Sequence, residues 1–174
     1  MRNRSRLVLI GLWVVLGSPR ATAQTRVGLD IAAGLGVPTA DLAEDFGGGF
    51  LGNVGLFVFP SGWRIGFRAD VGYGQFPEES GDAKFQPLTV LGNVLLDLVP
   101  SGALHPYLLG GAGLMAGGRS NNSYSRWALQ GGAGLSYGAG NTRFFFEWRY
   151  VSSLEAISVE SYTPLMLGVS FGFR

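Results

Sequence analysis

The sequence predicts an all-β fold, an eight-stranded antiparallel up-and-down transmembrane β-barrel. Three observations predict it. Eight segments alternate large apolar residues with small or polar ones at a period of two. The connections between them alternate between tight turns and longer polar loops, the pattern of a barrel with a short rim and a long rim. The small side of the segments is mainly glycine, which suits a lumen barely wide enough for its own side chains.

The first segment, residues 26–37, places Val27, Leu29, Ile31, Ala33, Leu35 and Val37 on one face and Gly28, Asp30, Gly34 and Gly36 on the other. The second, 50–59, aligns Val54, Leu56 and Val58 against Asn53 and Gly55, with Phe57 and Phe59 blurring the alternation. The third is the clearest. Trp63, Ile65, Phe67, Ala69, Val71 and Tyr73 oppose Arg64, Gly66, Arg68, Asp70, Gly72 and Gly74. The fourth, 86–99, sets Leu88, Val90, Val94, Leu96 and Leu98 against Thr89, Asn93 and Asp97.

The fifth, 104–116, is glycine-rich, and Leu108, Ala112 and Leu114 are expected to face outward. The sixth sets Trp127, Leu129, Ala133, Leu135 and Tyr137 against Arg126, Gln130, Gly132, Gly134 and Ser136. The seventh opposes Phe144, Phe146, Trp148 and Tyr150 to Arg143, Phe145, Glu147 and Arg149. The eighth, 164–174, alternates strictly: Leu165, Leu167, Val169, Phe171 and Phe173 against Met166, Gly168, Ser170 and Gly172. It is expected to close the barrel against the first.

Tight turns are expected at 60–62, 100–102 and 138–141. Polar loops are expected at 39–49, 75–85, 117–125 and 152–163. Trp63 and Tyr73 stand ten residues apart on one face, as do Trp127 and Tyr137. Ten residues rise about 33 Å along a strand. A tilt of about 40° turns that into roughly 25 Å, the height of an apolar band between aromatic girdles.

Residues 1–23 read as a cleaved signal peptide. Arg2, Arg4 and Arg6 precede an apolar run over 7–17 and the small-x-small site Ala21-Thr22-Ala23. The run is too short for a spanning helix, which needs about 20 residues. Residues 24–174 then form one barrel domain. Without the leader, net charge moves from +1 to −3, because four arginines leave with it. No basic patch argues for nucleic acid. The chain has no cysteine, so disulfides, thiolate chemistry and a lipoprotein anchor are excluded.

The alternative with its apolar face inside is a soluble lipocalin-like barrel. It would carry a lysine- and glutamate-rich outer face, whereas the only lysine is Lys84. The polar residues therefore belong inside. Asp30, Arg64, Arg68, Asp70, Asp97, Arg126, Arg143, Glu147 and Arg149 form a candidate lumen charge network. Charges in so narrow a space must pair. One reading is a structural salt-bridge plug. The other is a gated small-solute pore in which Arg68, Asp70, Glu147 and Arg149 exchange partners.

HPYLLGGAGL (105–114), FFFEWRY (144–150) and LMLGVSFGF (165–173) resemble the fifth, seventh and last strands of the OmpA-like/OmpX-like outer-membrane β-barrel domain family. The resemblance spans residues 24–174. It implies export to the bacterial outer membrane by a periplasmic chaperone and the barrel-assembly machinery. It also implies contact with outer-membrane lipid and lipopolysaccharide, and no peptidoglycan-binding domain after the last strand. Such barrels end on an aromatic residue; this chain ends Phe173-Arg174.

Catalytic patterns are weak. His105 is the only histidine, beside a turn and nearest in sequence to Ser101. It is read as a rim residue. GLSYG (134–138) and GVSFG (168–172) match a nucleophile elbow, but no histidine follows either serine. GAGLMA (111–116) loosely fits a dinucleotide fingerprint, without the helix or the acid that should follow. No cofactor and no metal site is expected. Asp41, Glu44 and Asp45 make the first loop acidic, and Glu78, Glu79 and Asp82 the second. The leading expectation is a monomeric, non-enzymatic envelope protein with a structural or surface-interaction role. A minor pore comes second and a lipid-modifying enzyme third.

Overall fold

The computed structural model describes residues 25–81, 83–99, 101–119, 122–154 and 160–173. The expected signal peptide and Arg174 lie outside them. The described chain is almost entirely strand. It runs β1 (Arg26–Ala40), α1 (Leu42–Asp45), β2 (Gly49–Phe59), β3 (Ile65–Pro77), β4 (Lys84–Phe85), β5 (Leu88–Asp97), β6 (Leu104–Arg119), β7 (Asn122–Ala139), β8 (Thr142–Ser153) and β9 (Glu160–Phe173).

Eight of these strands are staves of a closed barrel; β4 is a two-residue addition between β3 and β6. Every pairing is antiparallel, and the ring closes where β1 meets β9, from Val27↔Phe173 to Ala40↔Glu160. Closure leaves no unpaired sheet edge, which a wall in lipid requires because hydrocarbon offers backbone groups no partner.

The alternation sorts the faces as expected. Ile31, Val54, Phe67, Val90, Leu108, Leu114, Leu129 and Phe146 point outward and are exposed. On β9, Leu167 is 68% exposed and the adjacent Met166 is 2% exposed, so one residue step crosses the wall. Trp63, just before β3, and Tyr73, within it, are both exposed, as are Trp127 and Tyr137 of β7.

Strand boundaries depart from expectation at the long-loop rim. β6 and β7 stay paired out to Arg119↔Asn122, so most of the segment expected as a loop at 117–125 is hairpin. β1 runs to Ala40, β3 to Pro77, and β9 begins at Glu160. A polar composition does not end a ladder once the strand has left the apolar band, since backbone pairing there needs no apolar side chain. The loop expected at 39–49 contains the short helix α1, and its Leu42 and neighbouring Phe46 are buried.

The lumen is also less uniformly polar than expected. At the loop end Leu42, Phe46, Leu51, Phe76, Phe85, Leu91, Met115, Tyr162 and Met166 pack into one apolar cluster. Phe76 stacks toward Phe85 at 6.0 Å and Tyr162 at 5.2 Å, and Phe46 meets Phe85 at 5.9 Å. The sequence pattern places Phe76 and Phe85 in a loop. They turn inward because β3 extends past Tyr73 and β4 adds Phe85 beside it.

Candidate lumen site

The charged layer lies between the apolar cap and an open cavity at the turn end. All eight staves contribute to it. β1 supplies Asp30, β2 Asn53, β3 Arg68 and Asp70, β5 Asn93, β6 Tyr107, β7 Gln130, β8 Glu147 and Arg149, and β9 Ser170. Each sits on an inward position fixed by the period-two alternation of its strand.

Glu147 is the hub and is fully buried. Its carboxylate accepts Arg68 Nη1 at 2.6 Å and Nη2 at 3.1 Å, the Tyr107 hydroxyl at 2.5 Å, and Arg149 Nε at 2.5 Å. Arg149 Nη2 also lies against it. Arg68, only 3% exposed, crosses the lumen and joins three acids. Besides Glu147 it reaches Asp30 through Nη1 at 3.2 Å and Asp70 through Nε at 3.0 Å. Asp70 further accepts Asn53 Nδ2 at 3.0 Å and Asn93 Nδ2 at 2.8 Å, with Arg149 Nη1 at 3.7 Å. Ser170 donates to Asp30, and Gln130 donates to Asn93.

Glycine makes this crowding feasible. A Cβ at Gly55 would lie 2.3 Å from Asp70 Oδ1, and one at Gly134 would lie 2.3 Å from the Tyr107 ring. Beside Asp70 and Tyr107, the paired stave position has to be bare.

Of the nine charged residues read from the sequence, five meet in this layer: Asp30, Arg68, Asp70, Glu147 and Arg149. The other four do not. Arg126 turns toward the loop end, 3.5 Å from Glu160 and with its guanidinium carbon 3.9 Å from the Tyr124 ring centroid. Asp97 lies at the turn end and pairs with His105 Nδ1 at 3.3 Å. Arg143 lines the cavity there. Arg64 precedes β3 and is exposed at the rim rather than enclosed in the lumen, because the tight turn runs through Trp63 before the strand begins.

His105 is also not a simple rim residue. It is buried, with Nε2 2.9 Å from the Gly102 carbonyl and Nδ1 facing Asp97. Its ring partners are therefore Asp97 and a turn carbonyl rather than Ser101. Ser136 Oγ donates to the His105 carbonyl at 3.5 Å, not to the ring.

Sequence reasoning missed Tyr107 and Ser170 as members of the charged layer. Both were within reach of the alternation: Tyr107 has the parity opposite Leu108, and Ser170 the parity opposite Phe171.

Chemically, the layer is a set of ion pairs and charge-assisted hydrogen bonds, in which Gln130 Oε1 and Arg149 Nη2 are left without a hydrogen-bond partner. It holds three carboxylates against two guanidiniums, the imbalance being spread over amide, hydroxyl and phenol donors. Among the described residues no group of His, Asp and Glu is arranged to hold a metal ion.

A family model described as outer membrane protein beta-barrel domain matches residues 8–174. Solved structures share the fold. The chain is 18% identical to Neisserial surface protein A, covering 86% of this chain and 97% of that one at a TM-score of 0.59. It is 20% identical to the attachment invasion locus protein of Yersinia pestis, covering 86% and 99% at a TM-score of 0.56. It is 16% identical to a major outer membrane protein of Thermus thermophilus, covering 86% and 100% at a TM-score of 0.62. A comparison with curated proteins finds no match.

Proposed function

The chain belongs to the outer membrane protein β-barrel domain family, and on that premise we propose that it is a sealed, non-enzymatic barrel of the bacterial outer membrane. In this reading it reinforces the envelope and presents its long-loop rim for contacts at the cell surface. One observation carries the reading: the lumen is crossed by side chains from all eight staves, with an apolar layer stacked on the charged one.

A pore would require a path through both layers. Arg68 would have to leave Asp30, Asp70 and Glu147 together, abandoning buried charges without partners. Phe46, Phe76 and Phe85 would also have to part. The geometry therefore favours the plug over the gated pore.

The partners in this reading are outer-membrane lipid and lipopolysaccharide on the apolar wall, and the barrel-assembly machinery during insertion. Residues 1–23 direct export. The loop rim carries the exposed acids Asp41, Glu44, Asp45 and Glu79, which give it a negative surface.

Complementation separates the two halves of the proposal. A strain lacking the gene is expected to admit bulky antibiotics more readily, and the wild-type gene to restore the barrier. A variant with Glu44→Gln and Glu79→Gln at the rim keeps the barrier function while altering surface contacts such as adherence or aggregation. An unaltered barrier in the deletion strain, together with unaltered surface behaviour in the variant, would refute the reading.

A further inference from the structure

The turn end of the lumen holds a cavity of about 340 Å³ that the sealed-barrel reading leaves without a role. Its inner boundary includes Asp30 and Arg68 of the charged layer, and its mouth lies at Gly62, Trp63 and Arg64. That size falls within the range of small-molecule sites.

The charges around it are unevenly satisfied. Asp30 is taken up by Arg68 and Ser170. Asp97 is taken up by His105 and by the Val99 N–H at 3.1 Å. Arg26, Arg64 and Arg143 remain, all lining the same cavity. Among the described residues none of the three has a carboxylate within ion-pair distance.

Arg26 and Arg143 repel each other, and Asp30 and Asp97 on the same cavity wall offset them only from beyond ion-pair distance. Arg143 Nε is moreover a buried donor with no acceptor, a situation that native interiors rarely leave unfilled. Arg26 is held in place, its guanidinium carbon 5.2 Å from the Phe57 ring centroid and 5.9 Å from that of Phe59. Arg64 is anchored through its backbone, whose carbonyl accepts the Asp97 N–H at 2.8 Å. Trp63, Phe59, Leu95 and Phe145 supply the apolar part of the wall, beside His105, Tyr107, Ser136 and Ser170.

We propose that this vestibule binds a compact organic anion, a carboxylate or phosphate carried on an apolar body. The anionic oxygens sit among Arg26, Arg64 and Arg143, where guanidinium forks match their geometry. One of them supplies the acceptor that Arg143 Nε lacks. The apolar body lies against Trp63 and the phenylalanines. The same anionic chemistry is offered by a free solute at the turn side of the membrane and by a phospholipid headgroup.

The test uses the folded protein in octyl glucoside micelles, which carry no phosphate. Phenyl phosphate, benzyl alcohol and dihexanoylphosphatidylglycerol are titrated separately. The readout is the NMR shifts of the Gly62, Ser136 and Ser170 amides and of the Arg143 Nε–H. Phenyl phosphate is expected to shift these signals saturably, and benzyl alcohol to leave them in place. Arg64→Gln and Arg143→Gln each weaken binding by about tenfold, the loss expected for one charge-assisted contact.

Heat-modifiable gel migration verifies the fold of Arg143→Gln. Arg64→Gln, at an exposed rim position outside the strands, keeps the question answerable if the other variant misfolds. If the phosphatidylglycerol gives the same shifts at lower concentration than phenyl phosphate, the site serves lipid; the reverse order assigns it to a free solute. The proposal is overturned if neither anion shifts the signals saturably, if benzyl alcohol binds as tightly, or if both variants bind like the wild type.

Discussion

Replacing Glu147 by glutamine keeps the hub's shape and removes its charge. In the wild type that carboxylate meets two nitrogens of Arg68, the Tyr107 hydroxyl and two nitrogens of Arg149. Glutamine has one acceptor oxygen where glutamate has two, and its NH₂ confronts donors. At least one guanidinium nitrogen is left buried without an acceptor. Breaking a buried pair from one side costs about 3–5 kcal/mol. The variant also makes the five-charge layer formally neutral, but the geometry outweighs that relief, since the two arginines lose their shared partner. At a urea slope of about 2 kcal/mol per molar, the unfolding midpoint falls by about 2 M.

The assay is urea unfolding in lipid vesicles, followed by tryptophan fluorescence and by gel migration of unboiled samples. A double-mutant cycle with Arg149→Gln isolates the pair. The combined loss should fall short of the sum of the single losses by about 1.5 kcal/mol or more. If Glu147→Gln unfolds within about 0.5 kcal/mol of the wild type, a value typical of surface changes, the layer is not the structural plug described here.

Other positions extend the same reasoning. Phe76→Ala, in the apolar cap against Phe85 and Tyr162, should cost about 3–5 kcal/mol in the same unfolding assay, the range for deleting a buried aromatic ring. Leu167→Arg places a charge on the outer wall opposite Ala33 and Phe146, near mid-strand, and should cost about 2–4 kcal/mol in vesicles. Gly134→Val drives a side chain into the Tyr107 ring, and a loss of about 1–3 kcal/mol with altered tyrosine fluorescence is expected.

The staves, their facing and the closing pair β1–β9 were legible because the signal is local. In a strand, parity alone assigns Leu167 outward and Met166 inward. The partners in the charged layer were not legible, because they meet across the lumen. Arg68 and Glu147 are 79 residues apart and belong to staves that are not neighbours. Their meeting depends on stagger and tilt, which no single segment encodes. Tyr107 was obscured by Gly110, Gly111 and Gly113, which dilute the alternation of its strand. The aromatic cap was hidden for another reason. Phe46, Phe76 and Phe85 lie among polar residues near chain reversals, and only the long β3 and the small β4 and α1 turn them inward.

The charged layer and the aromatic cap close the lumen. Single-channel recording in planar bilayers tests that closure most directly, with purified wild-type protein at high salt and an applied voltage of either sign. A closed lumen gives a silent membrane, with no stepwise conductance. Reproducible, uniform current steps from the folded wild-type barrel would contradict closure.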